Sequence, residues 1–172
     1  MKQAILQSGL RSGRRLNVMR RRRAFTLVEL IAVIVVLGVL AAVAVPKYFD
    51  YADRAKTASL EGSLGGVRSS ISSFYANQTF EGTARFPTIT EIRTVGTVLE
   101  QSLPKNPFNG LSTIGQVNSL ADATNRVTDG STGWRYFVDN TANPPVAIFW
   151  SNNTDDTTVA DNNGALVSAN DL

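Results

Sequence analysis

Residues 24–45 form an apolar stretch whose only charged member is Glu29. As a helix these residues extend roughly 33 Å at about 1.5 Å per residue. A bilayer core is about 30 Å thick. Its large side chains, among them Leu27, Leu30, Val33, Ile34, Leu37 and Leu40, wrap the whole circumference, and a helix apolar all round is buried in lipid or in a protein bundle. Charge is arranged around this stretch rather than through it. Eight of the 17 basic residues, Lys2, Arg11, Arg14, Arg15, Arg20, Arg21, Arg22 and Arg23, precede it, with no acidic residue among them. From Phe25 onward nine basic residues face 14 acidic ones, a formal charge of −5. The pI near 9.5 is therefore a property of the leader. An arginine run can bind nucleic acid through its phosphates. Placed directly before a spanning segment, it instead holds the N-terminus in the cytoplasm, and no direct nucleic-acid partner is expected.

The chain has no cysteine and no histidine, which excludes disulfides, thiol chemistry and the usual zinc ligand sets. No nucleotide-binding glycine loop is present, and isolated Ser and Asp residues have no recognised catalytic arrangement. A non-enzymatic role is expected. Three readings of the apolar segment compete. A secretory signal peptide ends in a small-x-small site, and Ala42-Val43-Ala44 fits, but the run exceeds the usual apolar length of about 7–15 residues and contains a glutamate. A plain single-pass anchor accommodates the length. It leaves unexplained a carboxylate that hydrocarbon disfavours unless the charge is neutralised or paired.

The third reading accounts for both. Arg21-Arg22-Arg23-Ala24-Phe25-Thr26-Leu27-Val28-Glu29-Leu30 resembles the processing signal of type IV prepilins and type II secretion pseudopilins. The resemblance implies a peptidase cut between Ala24 and Phe25 on the cytoplasmic side and N-methylation of Phe25. It makes Glu29 the family's characteristic glutamate, and Pro46 sits where many members bend or loosen the first helix. Ala24 departs from the family's usual glycine before the cut. The implied physics is direct: cleavage frees an α-amine at Phe25, with an unperturbed pKa of about 8, about one helical turn from Glu29. In low dielectric the pair, within one chain or between neighbours, offsets much of the desolvation of both charges and can fix the axial register of packed subunits. Gly38, Ala41, Ala42 and Ala44 supply small surfaces for close helix approach.

Pro46 lacks an N–H and is expected to kink or open the helix. Leu60, Leu64, Val67, Ile71 and Phe74 then recur at helical spacing, so the helix is predicted to continue as an amphipathic stretch over residues 46–76. Gly62, Gly65 and Gly66 weaken this stretch, through close approach by a sheet, a bend, or simple irregularity. Beyond Asn77 a head, residues 77–172, is expected to hold a short helix over 89–100 opened by the Thr88–Glu91 capping box. Aromatic strands at 134–138 and 146–150 follow; residues 117–127 read as edge strand or loop, and 164–168 as a last short strand. The predicted fold is α+β and pilin-like: a long N-terminal helix packed on a small antiparallel sheet of two to four strands. Residues 151–163 are dense in oxygen ligands. The resemblance implies a structural calcium in this region, with Asp155, Asp156 and Asp161 as candidates. By themselves these residues read as a solvated loop without an EF-hand pattern.

The organisation predicted is a cleaved leader (1–24), a membrane and filament-core helix (25–45), its amphipathic continuation and the head. The resemblance implies a subunit held in the cytoplasmic membrane with its head outside. Its partners would be copies of itself, a prepilin peptidase and methyltransferase, an inner-membrane assembly platform, minor pilins or pseudopilins, and lipid. A pseudopilus serving type II secretion competes with a type IV pilus for adhesion, motility or DNA uptake; the missing cysteine pair and the compact aromatic strands favour the pseudopilus. A plain membrane-anchored periplasmic binding module is the rival of another class.

Overall fold

The computed structural model describes residues 25–172, as two units, one ending at Ala42 and the other covering Val43–Leu172. The first helix, α1 (Leu27–Phe80), contains Pro46 in its interior rather than at its end. In the first unit every described residue is exposed. None of the most apolar stretch of α1 is buried. By length and composition this is a helix able to cross a membrane.

The second unit is built around the rest of α1. Thr57, Leu60, Leu64, Val67 and Ile71 are its buried residues, at alternating spacings of three and four that place them on one face. Phe74, expected in this row, is only half-buried, with the Arg85 guanidinium 5.0 Å over its ring. A Cβ at Gly62, Gly65 or Gly66 would meet nothing within 4 Å, so these glycines do not admit a closely packed sheet.

A capping box opens α2 (Ile89–Arg93): the Thr88 side chain accepts from the Glu91 N–H while Glu91 accepts from the Thr88 backbone. The helix ends far short of residue 100. Thr94 is extended, Gly96 has φ +85°, and the Gly96 N–H donates to the Leu99 carbonyl, 2.7 Å. A β-branched residue on each side of a left-handed glycine is a turn sequence, and it overrides the apolar periodicity.

The main sheet has the order β1-β2-β3, with β1 at Ile114–Val117, β2 at Trp134–Asp139 and β3 at Val146–Ser151. The aromatic strands pair antiparallel, Trp134 opposite Ser151 and Asp139 opposite Val146. The sheet is nevertheless mixed rather than purely antiparallel, because β1 joins β2 in parallel, Ile114 opposite Trp134. Parallel neighbours require a crossover, and the connection contains α3 (Leu120–Thr124), N-capped by Ser119. A separate antiparallel hairpin, β4 (Asp156–Ala160) with β5 (Leu166–Ser168), closes the chain.

Strand alternation divides the sheet into two packed faces. Trp134, Tyr136 and Phe149 join Leu60, Leu64, Val67 and Ile71 of α1 in one core, with Ile92, Leu103 and Ile114. Phe137 and Trp150 point the other way, onto Val117 and Ala123. Both sheet edges are tied by arginines. Arg93 donates to the Ile114 carbonyl on β1, 2.6 Å, and Arg68 donates through two nitrogens to Phe149 on β3, 3.2 and 3.0 Å. Occupied edge carbonyls discourage further strand pairing. Gly133, just before β2, is required by close approach: an added Cβ would lie 2.0 Å from the Leu111 carbonyl oxygen.

Candidate functional site

The residues singled out for processing lie at the start of α1. Ala24 and the leader arginines, Arg20, Arg21, Arg22 and Arg23, fall outside the described residues. Phe25 is 82% exposed. At Thr26 the chain enters the helix, its carbonyl accepting from the Leu30 N–H, 3.2 Å. Glu29 folds back onto this entry. One carboxylate oxygen, Oε2, accepts from both the backbone N–H and the hydroxyl of Thr26, each 2.9 Å. The Thr26 hydroxyl in turn accepts from the Glu29 N–H, 3.2 Å. This is the reciprocal arrangement of a capping box, satisfying donors that a helix start leaves open.

Glu29 therefore has a local partner in addition to the expected amine. Its signal was present in Thr26-Leu27-Val28-Glu29, the S/T-x-x-E pattern, and sequence reasoning recognised that pattern only at Thr88. Chemically, the arrangement holds a carboxylate at the N-terminal turn, where the aligned peptide dipoles favour negative charge. It accepts from the amide one residue downstream of the Phe25 nitrogen that cleavage would free. Pro46 lies 17 residues further along the same helix, too far to belong to this site.

Asp155, Asp156 and Asp161 are not brought together. Asp156 opens β4 and Asp161 follows its last residue, a separation of roughly 16 Å along an extended strand. The Asp161 Oδ1 is already engaged, accepting from the N–H groups of Asn163 and Ala165, each 2.8 Å, in the turn between β4 and β5. Among the described residues no group of three or more His, Cys, Asp or Glu stands close enough to hold a metal ion.

Ionisable groups with shifted pKa values in the second unit each have a structural cause. Glu91 is held down at about 2, first by its hydrogen bonds from Arg85, 2.9 Å each. Asp129 is held well below the carboxylate range by Asn152 and then by Ser131, with an ion pair to Arg135 beside it. Burial pushes the Tyr136 phenol up, and its hydroxyl donates to the Pro87 carbonyl, 2.7 Å. Burial and then the Arg126 charge lower the Arg68 guanidinium. A cleft of about 360 Å³ runs beside Arg68, Arg126, Tyr136 and Phe149. Arg68 spends its hydrogen bonds there on the Phe149 and Leu172 carbonyls, so its charge serves packing of the cleft wall.

Residues 19–45 match the prokaryotic N-terminal methylation motif. This span holds the arginine run, Phe25, the Thr26–Glu29 box and the exposed apolar turns of α1. No curated protein and no solved structure matches the chain.

Proposed function

We propose that this chain, pilin-like by its prepilin-type methylation signal and a substrate for a prepilin peptidase, is the structural subunit of a helical filament. The observation that carries the reading is a coincidence of position. The methylation motif covers the same residues whose apolar side chains stand exposed among the described residues. Lipid supplies that burial before assembly. Neighbouring α1 helices supply it afterwards, with Gly38, Ala41, Ala42 and Ala44 allowing close approach.

In this reading the leader arginines keep the N-terminus in the cytoplasm, and the peptidase removes residues 1–24. The methylated amine of Phe25 then stays positively charged near Glu29. A carboxylate already folded toward the helix entry by Thr26 needs little rearrangement to receive that amine, or the amine of an adjacent subunit. The pairing fixes how far one subunit advances along its neighbour. The chain performs no catalysis of its own; it is acted on and then built in. Partners follow from the same steps: copies of the chain, the processing and methylating enzyme, an assembly platform in the cytoplasmic membrane, and minor subunits. We place the filament in a pseudopilus of a type II secretion system. Supporting this choice are the absence of any cysteine to close the C-terminal region and the compact head with its small mixed sheet.

Mass spectrometry of the mature N-terminus tests the reading. The expected result is a chain beginning with N-methylated Phe25. An intact leader would overturn it in favour of a monomeric membrane anchor. Cell fractionation separates the filament types: the pseudopilus reading expects the subunit in the envelope fractions, whereas long sheared surface fibres would mark a pilus.

A further inference from the structure

The sequence contains two Asn-Gly pairs, Asn109-Gly110 and Asn163-Gly164, and the fold treats them in opposite ways. Asn-Gly is the dipeptide most open to intramolecular attack on the carboxamide, because glycine has no side chain to shield its nitrogen. At Asn109 the carboxamide is tied on both sides. Its nitrogen donates to the Thr132 carbonyl, 3.1 Å, and to the Asn152 carbonyl, 3.4 Å, while its oxygen accepts from the Leu111 N–H, 3.1 Å. At Asn163 both residues are exposed, and among the described residues the carboxamide has no hydrogen-bond partner. The Gly nitrogens do not distinguish the pairs, since each donates within its turn: Gly110 to Asn106, 2.7 Å, and Gly164 to Asp161, 3.0 Å. The freedom of the side chain is what differs.

We infer that Asn163 is a site of spontaneous covalent modification, converting through a succinimide to aspartate and isoaspartate, while Asn109 is protected by the fold. The Gly164 backbone nitrogen loses its proton and attacks the Asn163 Cγ. A nitrogen–carbon bond forms, the Cγ–amide bond breaks, and ammonia leaves. Water then opens the ring at either carbonyl, giving aspartate or the β-linked isomer; no electrons are transferred. The product is not neutral for the structure. Either isomer adds a carboxylate two residues from Asp161, and the β-linkage inserts an extra carbon into the backbone of the turn. That turn rests on the Asp161–Ala165 bond, 2.8 Å, and on the two N–H groups held by Asp161. The same hairpin docks on α1 through the Thr158 N–H and the Thr57 hydroxyl, 3.1 Å. Modification therefore acts on the contact between the last strands and the long helix.

The experiment is peptide mapping of the full-length chain in detergent after incubation in mildly alkaline buffer, scoring aspartate and isoaspartate at both positions. Freeing the Asn109 carboxamide requires breaking its hydrogen bonds first, so residue 163 is expected to convert about ten-fold faster or more. In denaturant, where both side chains are free, the two rates should converge. Equal rates in the folded protein, or faster conversion at 109, would overturn the inference. So would a rate difference that persists unchanged in denaturant, because local sequence rather than the fold would then be its cause.

Discussion

Residues 27–42 and residues 43–172 solve the same problem in opposite ways. In the second unit, apolar residues occupy one face of α1 and alternate positions on β2 and β3, so they bury one another: Trp134, Tyr136, Trp150 and Leu60 are fully enclosed. In the first unit they lie on every side of the helix, and none is enclosed. One-sided patterning specifies a partner within the chain, while all-round patterning specifies a partner outside it. Polar groups follow the same division. In the second unit they are knotted together by Asn106, Asn109 and Asn152, whereas in the first the single carboxylate turns back on its own helix start.

The largest effect is expected at that carboxylate. Glu29→Val removes both the cap and the charge, whereas Glu29→Gln keeps a capping box and removes the charge alone. Both variants are expected to enter the membrane and to lose nearly all filament yield in a shearing and sedimentation assay. Thr26→Val, which sacrifices a cap worth about 1 kcal/mol and leaves the charge, should retain most of the yield. A Gln variant that assembles like the unaltered chain would show that Glu29 serves as a cap rather than a counter-ion.

Truncation should divide the units cleanly. Trp134→Ala is expected to lower the unfolding free energy of the second unit by about 3–5 kcal/mol, through lost burial and a residual cavity. Leu37→Ala, a large apolar truncation on the exposed helix, should move it by less than about 0.5 kcal/mol. Urea titration of the full chain in detergent, followed by Trp150 fluorescence for the first variant, measures both. A comparable loss from Leu37→Ala would mean the first unit lends stability to the second.

A smaller effect is expected from the polar knot. Asn152 accepts from the N–H groups of Asp129 and Gly130, 2.9 and 3.2 Å, and donates to Asp129 and Thr132, 2.8 and 3.0 Å. Asn152→Ala strands these partners, at about 1–3 kcal/mol for those left buried and unsatisfied. Thermal unfolding measures the loss, and an unchanged midpoint would show that water replaces the side chain.

These contrasts also separate what could be read in the sequence from what could not. The apolar helix, its amphipathic continuation, the aromatic strands and the Thr88 cap were legible because each rests on neighbours within a few residues. The parallel placement of β1 was not. Ile114 meets Trp134 only after a crossover through α3, and short apolar runs do not encode their partners. The early end of α2 was written in Thr94-Val95-Gly96, yet the apolar residues Ile92, Val95, Val98 and Leu99, which run on past it, masked it. The polar knot was invisible because Asn152 reads locally as part of a solvated loop, and the partners of Asn106 and Asn109 lie more than twenty residues away. At the candidate site, the motif residues stood out while the Thr26 partnership of Glu29 did not, because the charge of a freed amine one turn away already accounts for a glutamate there.

The finest distinction between the units is in their response to acid. Nothing between Leu30 and Ala42 titrates, so that part of the helix has no acid transition of its own. In the second unit Glu91, which Arg85 grips with two hydrogen bonds, has its folded pKa lowered from 4.5 to about 2, and Asp129 is lowered from 3.8 by Asn152. A carboxylate with a depressed folded pKa contributes stability that is fully present above its unfolded pKa and is lost as pH falls through the folded one. For Glu91 that window runs from about 4.5 down to about 2. The contribution is modest because both side chains of the Glu91 pair remain partly exposed to water, which screens the attraction. Glu91→Gln retains the cap on Thr88 but has no charge to lose. Its melting temperature should fall below that of the unaltered chain at neutral pH, and the two should approach each other as the pH drops through the window. A gap that stays constant down to pH 2 would show that the Arg85 pair stabilises by shape alone.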